Sequence, residues 1–382
     1  MFISSAYRTF GTVAVPGLGF STNFTLSAGA GVTVTVPNGA SVDALDGTTN
    51  LGVHVTAQDE VTVHGANLEQ YTGDGYRGLP TDALGSEYIV RGQKNGGAVA
   101  AVQGSQLTVV GTQNGTTVTI TPSVTTGSRT AGTPYTVSLN QGQVYQLRNT
   151  DNTTSADLSG TIITADQPVG VFGGNRAGYV PTTYAAADHL VEMLTPVATW
   201  GKLFLTAPLA SRTGYTVRLV ASVNGTMVTI DGVSIGAALN RGQVYETILT
   251  NAAVVSASAP VLVAQYAHGA AFDGATGDPF MMLVSPVEQY VADYRVMVPS
   301  GYTNYVTLIS PSSEVGTVTV DGAAVGSGNF TAVGSSGYSY AQVSVSAGAH
   351  HFSGSLPGAP AVYGWKGNES YGYPAGMNLA PV

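Results

Sequence analysis

With 382 residues the chain is long enough for two to four compact units and a sizeable core. Hydrophobic residues make up 43% and charged residues 9%, which excludes a disordered polar chain and leaves Thr, Ser, Asn, Gln, Gly and Tyr to cover the surface, as in exoproteins and virion parts. A net charge of -9 with scattered basic residues excludes a nucleic-acid partner, and the absence of cysteine excludes disulfides, thiolate metal sites and thiol catalysis.

The predicted elements are strands almost throughout. Residues 1–17 have neither a basic region nor a continuous apolar run, so they do not read as a secretory leader. No stretch approaches the ~20 apolar residues that span a bilayer, so no membrane insertion is expected. Strand-like runs then follow at 32–36, 107–110, 117–120, 217–220, 227–230 and 317–320, each rich in β-branched residues and bounded by Gly, Asn, Asp or Pro. Asn114-Gly115 and Asn224-Gly225 predict type I′ hairpin turns, because this dipeptide tolerates positive φ. Residues 188–194 are the one segment that reads as a helix, of about two turns, stopped by Pro196.

Internal repetition organises the chain. Asn114-Gly-Thr-Thr-Val-Thr-Ile120 recurs as Asn224-Gly-Thr-Met-Val-Thr-Ile230, and Leu139-Asn-Gln-Gly-Gln-Val-Tyr145 as Leu239-Asn-Arg-Gly-Gln-Val-Tyr245. Asp166-Gln-Pro-Val169 pairs with Ser258-Ala-Pro-Val261 and, more loosely, with Gly358-Ala-Pro-Ala361. Each is followed by a Gly-rich aromatic loop and a Pro-Val at Pro196, Pro286 and Pro381. The reading is an all-β chain of about four units, at 1–97 (a degenerate copy), 98–200, 201–290 and 291–382, built as tandem β-sandwiches or propeller-like sheets. Because each Pro-Val runs into the next unit's first strand, a continuous stack or ring is expected rather than beads on a string.

Between residues 187 and 290 the order of Asp188-His-Leu-Val-Glu-Met-Leu-Thr-Pro-Val197, Thr199-Trp-Gly-Lys202, Asn224-Gly-Thr226, Leu239-Asn-Arg-Gly-Gln-Val-Tyr245, Pro260-Val-Leu-Val-Ala-Gln-Tyr266 and Gly277-Asp-Pro279 resembles the N-terminal domain family of IgG Fc-binding proteins. The resemblance covers about residues 80–300 and implies an extracellular, non-catalytic binding role. Animal members carry cysteines near the position of Asp188-His189, where this chain has Ala185-Ala-Ala187, so the oxidised setting of those members is not implied.

Chemical motifs are few. Gly73-Asp-Gly-Tyr-Arg-Gly78 matches the dinucleotide fingerprint in letters, but Pro80 and the repeat pattern make it a structural turn. Asp188, His189 and Glu192 lack a third ligand in sequence reach, which favours a hydrogen-bonded histidine at a unit junction over a metal or a base. His54, His64, His268, His350 and His351 show no ligand spacing, and the acidic loops at 74–82 and 273–278 lack a calcium-loop pattern, so no metal or cofactor is assigned. The binding candidates are Tyr363, Trp365, Tyr371 and Tyr373, interleaved with Gly, Lys366, Asn368 and Glu369; as exposed rings they would suit a sugar face or a protein groove, and as core residues they would merely fill it. The functional expectation is a non-enzymatic attachment or structural module on an exterior surface, either a phage tail fibre, tail tip or decoration protein or a bacterial adhesin. Its expected partners are other structural proteins, copies of itself, or a cell-surface protein or glycan. The alternative is a carbohydrate-active β-repeat enzyme, for which no paired carboxylate motif is present.

Overall fold

A long strand that serves two sheets defines each repeat. In the computed structural model, which describes residues 1–97 and 102–382, these long strands are Ile162–Tyr179, Ala253–Tyr266 and Gly348–Lys366. The first half of each pairs with a leading strand (Gly85–Ile89, Gly201–Thr206 and Val291–Val298), and the second half with a closing strand (Ala187–Met193, Met281–Leu283 and Glu369–Pro374). Four further strands complete a seven-stranded sandwich in the second and third units, and five an eight-stranded one in the last, which decides the sandwich alternative. The pattern of the second unit starts at Gly85; the boundary read between 97 and 98 abuts residues 98–101, which lie outside the described residues.

Proline marks the crossing from one sheet to the other. Pro168 and Pro260 sit where the ladder to the leading strand shifts register, a place where a missing N–H does no harm. In the last unit the shift falls between Ser353 and Gly358, so the equivalent proline is Pro357, and the loose match to Gly358-Ala-Pro-Ala361 is three residues out of register.

The two strongest sequence repeats are neighbours in each unit. Asn114 accepts the Gln141 N–H and Asn140 accepts the Gly115 N–H, while Asn224 accepts the Arg241 N–H in the next copy. The Asn-Gly turns are not hairpins, however. They connect strands that lie end to end along the same long strand, and only the glycine has positive φ. The segment read as a helix at 188–194 is instead the strand Ala187–Met193: its apolar residues satisfy both periods, and pairing with the long strand decides.

The first unit repeats the same order, and among the described residues no leading strand pairs with it. Its long strand is split into His54–Ala57 and Thr62–Glu69, followed by the closing strand Thr72–Gly78. The motif Gly73–Gly78 is therefore strand rather than turn, and the turn lies at Gln70-Tyr71.

The four closing strands pack side by side around one axis, in the order first, second, third, fourth and back to the first. Among the described residues they form no ladder with one another. One carboxylate replaces it. Asp74 accepts the N–H groups of Gly75 (2.7 Å), Val191 (3.0 Å), Met281 (3.1 Å) and Gly372 (3.4 Å), one from each closing strand at the same register position. Gly75 and Gly372 have no side chain because Tyr373 and Phe280 occupy that space. Burial pushes the Asp74 carboxyl well above the usual range, against the pull of the Val191 and Met281 amides.

Replacing Asp74 by alanine leaves up to four buried amides without an acceptor, at about 1–3 kcal/mol each. Asp74→Ala is expected to lower the thermal midpoint sharply or abolish soluble expression, and Asp74→Asn to retain part of the stability; calorimetry that shows wild-type stability in the alanine variant overturns the assignment.

Candidate binding face

The four aromatic candidates do not face solvent. Tyr363, Tyr371 and Tyr373 are fully buried and Trp365 is 6% exposed. They close the joints of the last unit. Tyr363 accepts the Ala210 N–H at 2.9 Å, Trp365 packs on Phe280 with Arg212 stacked 3.7 Å from its ring, and Tyr373 lies 4.3 Å from His64 of the first unit. The expectation of exposed rings is thus corrected. These residues lie on strands whose both faces are covered by neighbouring units, something the flanking glycines and polar residues did not reveal.

The other joints are polar. Between the second and third units Arg218 donates to the Gly92 carbonyl and the Gln93 side chain and ion-pairs with Asp157 and Glu246; Arg91 donates to Ser159 and Tyr266. Burial raises the Asp157 carboxyl, but Arg218 and Arg91 outweigh it and hold it at about 2. Between the first and second units Asp188 accepts from Thr72 Oγ1 (2.8 Å) and the Gly73 N–H (2.6 Å), and His189 contacts Asn67 Nδ2 at 3.1 Å and the Arg176 carbonyl at 3.3 Å. The hydrogen-bonded junction histidine expected from sequence is what the structure places there. Burial lowers its pKa.

Thr72, Asp188, Asp278 and Glu369 occupy one register position at the start of the closing strands, above Asp74. Asp278 is buried beside Arg212. Its burial dominates the guanidinium and raises the carboxyl to about 6. Among the described residues no group of three or more His, Asp or Glu is placed to hold a metal ion.

The connections from long to closing strands surround this axis on one face. The second to fourth touch in sequence, since Tyr184 packs 4.9 Å from Phe272, Gly269 donates to Val180 and Gly277 donates to Gly367, and the strands beside the first two meet through Asn67 and His189. Exposed residues on them and at the adjoining strand ends include Leu68, Tyr71 (62%), Tyr184 (42%), Lys366 and Asn368. Tyr71 has φ 69°, in the left-handed region, at a two-residue turn position that ordinarily takes Gly or Asn. The sequence marks Gly73–Gly78 as a turn but gives no sign that the Tyr71 ring just before it is presented in a strained, exposed conformation. By contrast the cavity between the third and fourth units, lined by Leu205, Ala207, Met282 and Pro374, measures ≈ 30 Å³, room for about one water.

A family model described as IgGFc binding protein matches residues 74–364. The human "IgGFc-binding protein" is 29% identical over 298 residues, covering 74% of this chain and 5% of that protein, so the chain spans about a twentieth of the relative's length.

Two measurements check the site description. Trp365→Ala is expected to cost about 3–5 kcal/mol of stability, the usual range for a buried Trp, and a variant with an unchanged thermal midpoint contradicts its placement. A carboxyl whose folded value is about 6 against an ordinary 3.8 lends stability that is full below 3.8 and lost as pH rises to about 6. Asp278→Asn should therefore flatten the decline of the thermal midpoint between pH 4 and 6.

Proposed function

Given that the chain belongs to the IgG Fc-binding protein family, we propose that it is a non-catalytic binding module of an extracellular surface, and that the loop face around the closing-strand axis is where it binds. The observation that carries this reading is the exposed pair Tyr71 and Tyr184, on connections of which the second, third and fourth are tied to one another, with the strands beside the first two joined through Asn67 and His189. Rings on a rigid frame bind at low cost in conformational entropy, and the adjoining Lys366, Asn368 and Asn67 supply hydrogen-bonding groups. The low charge and polar, Gly-rich composition suit an exterior setting, and within it the fitting roles are a virion-exterior part (tail fibre, tail tip or decoration protein) or a bacterial adhesin. Partners of matching chemistry are a cell-surface protein or glycan, or a structural neighbour. The human relative's name concerns antibody Fc, which makes Fc one arm of the test.

Wild type, Tyr71→Ala and Tyr184→Ala are compared on a glycan array, on intact bacterial cells and on immobilised IgG Fc. Each substitution should weaken whichever interaction is found by about tenfold or more, as removal of an interface anchor does, with an unchanged thermal midpoint. Tyr71→Gly should weaken binding equally while holding or raising stability, by up to about 1 kcal/mol, because glycine accepts positive φ without strain. Undiminished binding in both alanine variants rules out this face.

A further inference from the structure

One edge strand is covered in the second unit and bare in the third. Val144–Asn149 has a strand of the first unit, Asp46–Thr49, running antiparallel along its outer side. Val244–Leu249 holds the same register in the third unit, pairs inward with Tyr215–Ala221 and, among the described residues, pairs with nothing on its outer side. In the fourth unit Thr331–Ala332 takes that outer place, beside Tyr338–Val345. Burial follows the cover: every residue of Val144–Asn149 is buried, whereas none of Val244–Leu249 is, and Ile248 is 46% exposed.

The chain's own segment for this place lies within the described residues and goes elsewhere. Residues 34–53 follow the first unit's edge strand Gly31–Thr33 and lay Asp46–Thr49 on the second unit as a strap; residues 150–161 hold the equivalent position after Val144–Asn149. Both arrive at one corner, where the Gly52 N–H donates to the Gly142 carbonyl (3.0 Å) and Gly160 lies against Gly242. Running back from Gly160, however, the chain buries Leu158 and pairs Asp157 with Arg218 instead of following the edge. Two side chains that hold the strap in the second unit recur in the third without it. Tyr145 donates its hydroxyl to Asp46 (2.7 Å) and Gln143 its amide to Asn50 (3.0 Å). The Tyr245 hydroxyl and the Gln243 amide nitrogen, at the same places, have no hydrogen-bond partner among the described residues.

We propose that the outer edge of Val244–Leu249 captures an extended segment of a partner polypeptide, which adds antiparallel and carries Asp or Asn at two positions four residues apart. The strap is the template. The Arg148 N–H donates outward to the Leu45 carbonyl at 2.8 Å, and Arg148 and Ile248 share a register position, so Val244, Glu246 and Ile248 present their N–H and C=O groups to the open side. A segment in the strap's register sets its first Asp or Asn on Tyr245 and its second on Gln243, as Asp46 and Asn50 stand on Tyr145 and Gln143. The residue before the first of these meets Ile248, as Leu45 meets Arg148, which favours an apolar side chain there. A second copy pairing in full register through its own Val244–Leu249 sets Glu246 against Glu246, and like charges directly opposite destabilise a strand pair, so the occupant is a different segment. Main-chain hydrogen bonds give such capture its affinity, and the two side-chain anchors its selectivity.

The test uses the full chain and a labelled, end-capped peptide with the sequence of residues 44–51, Ala-Leu-Asp-Gly-Thr-Thr-Asn-Leu. Saturable binding is expected, with amide hydrogen exchange slowed at Glu246 and Ile248. Alanine in place of the peptide's Asp, or Tyr245→Phe in the protein, should each weaken binding by about tenfold, the usual loss when one hydrogen bond to a charged group is removed. Ile248→Pro, which removes an outward N–H, should abolish binding; if that variant does not fold, the alanine peptide and Tyr245→Phe carry the test. No saturable binding up to millimolar peptide, protection confined to another strand such as Val144–Asn149, or undiminished binding of the alanine peptide overturns the proposal.

Discussion

Four short strands that meet around an axis have a hydrogen-bonding problem that ordinary sheets do not. Each must direct one N–H toward the centre, where there is no neighbouring strand to receive it and no room for bulk water. Asp74 supplies a single acceptor for all of them. The strands can therefore stay short, since Met281–Leu283 needs to reach the axis but not to build a ladder there. Everything outward follows from that meeting: the long strands pair with the closing strands, and their connections are brought together on one face.

The joints between units solve their own satisfaction problems by different chemistry. The second and third units share a buried ionic network centred on Arg218, whereas the third and fourth share stacked rings with Arg212 laid over Trp365. The interface that looks most like a ligand site in sequence, Tyr363 to Tyr373, is thus the counterpart of a salt-bridge cluster elsewhere. Both seal a seam between sandwiches.

The all-β class and the repeats were legible because turn glycines, period-two runs and the paired Asn-Gly and Asn-x-Gly-Gln motifs act locally. So was the junction role of His189, since its setting recurs at a unit boundary. What escaped depends on residues far apart in the chain. Residues 188–194 carry apolar spacing compatible with helix and strand, and only the long strand beside them selects the latter. Asn114-Gly115 has hairpin chemistry, yet its flanking strands belong to different sheets. Trp365 is buried by Gly277 and Arg212, about 90 and 150 residues upstream, contacts that no spacing along the chain foretells.

The shared acceptor also makes the molecule count. Four repeats of one topology could in principle be joined in any number, as solenoids are, with each copy needing only its neighbours. Here the first copy alone contributes the acid, and the other three present Leu190, Phe280 and Tyr371 at that position. Deleting one copy would strand lone pairs, and inserting a fifth would bring an amide with nowhere to bind. Divergence of one repeat from the rest has converted an open-ended series into a closed set of four, and a further duplication within this chain would have to rebuild the centre before it could be accommodated.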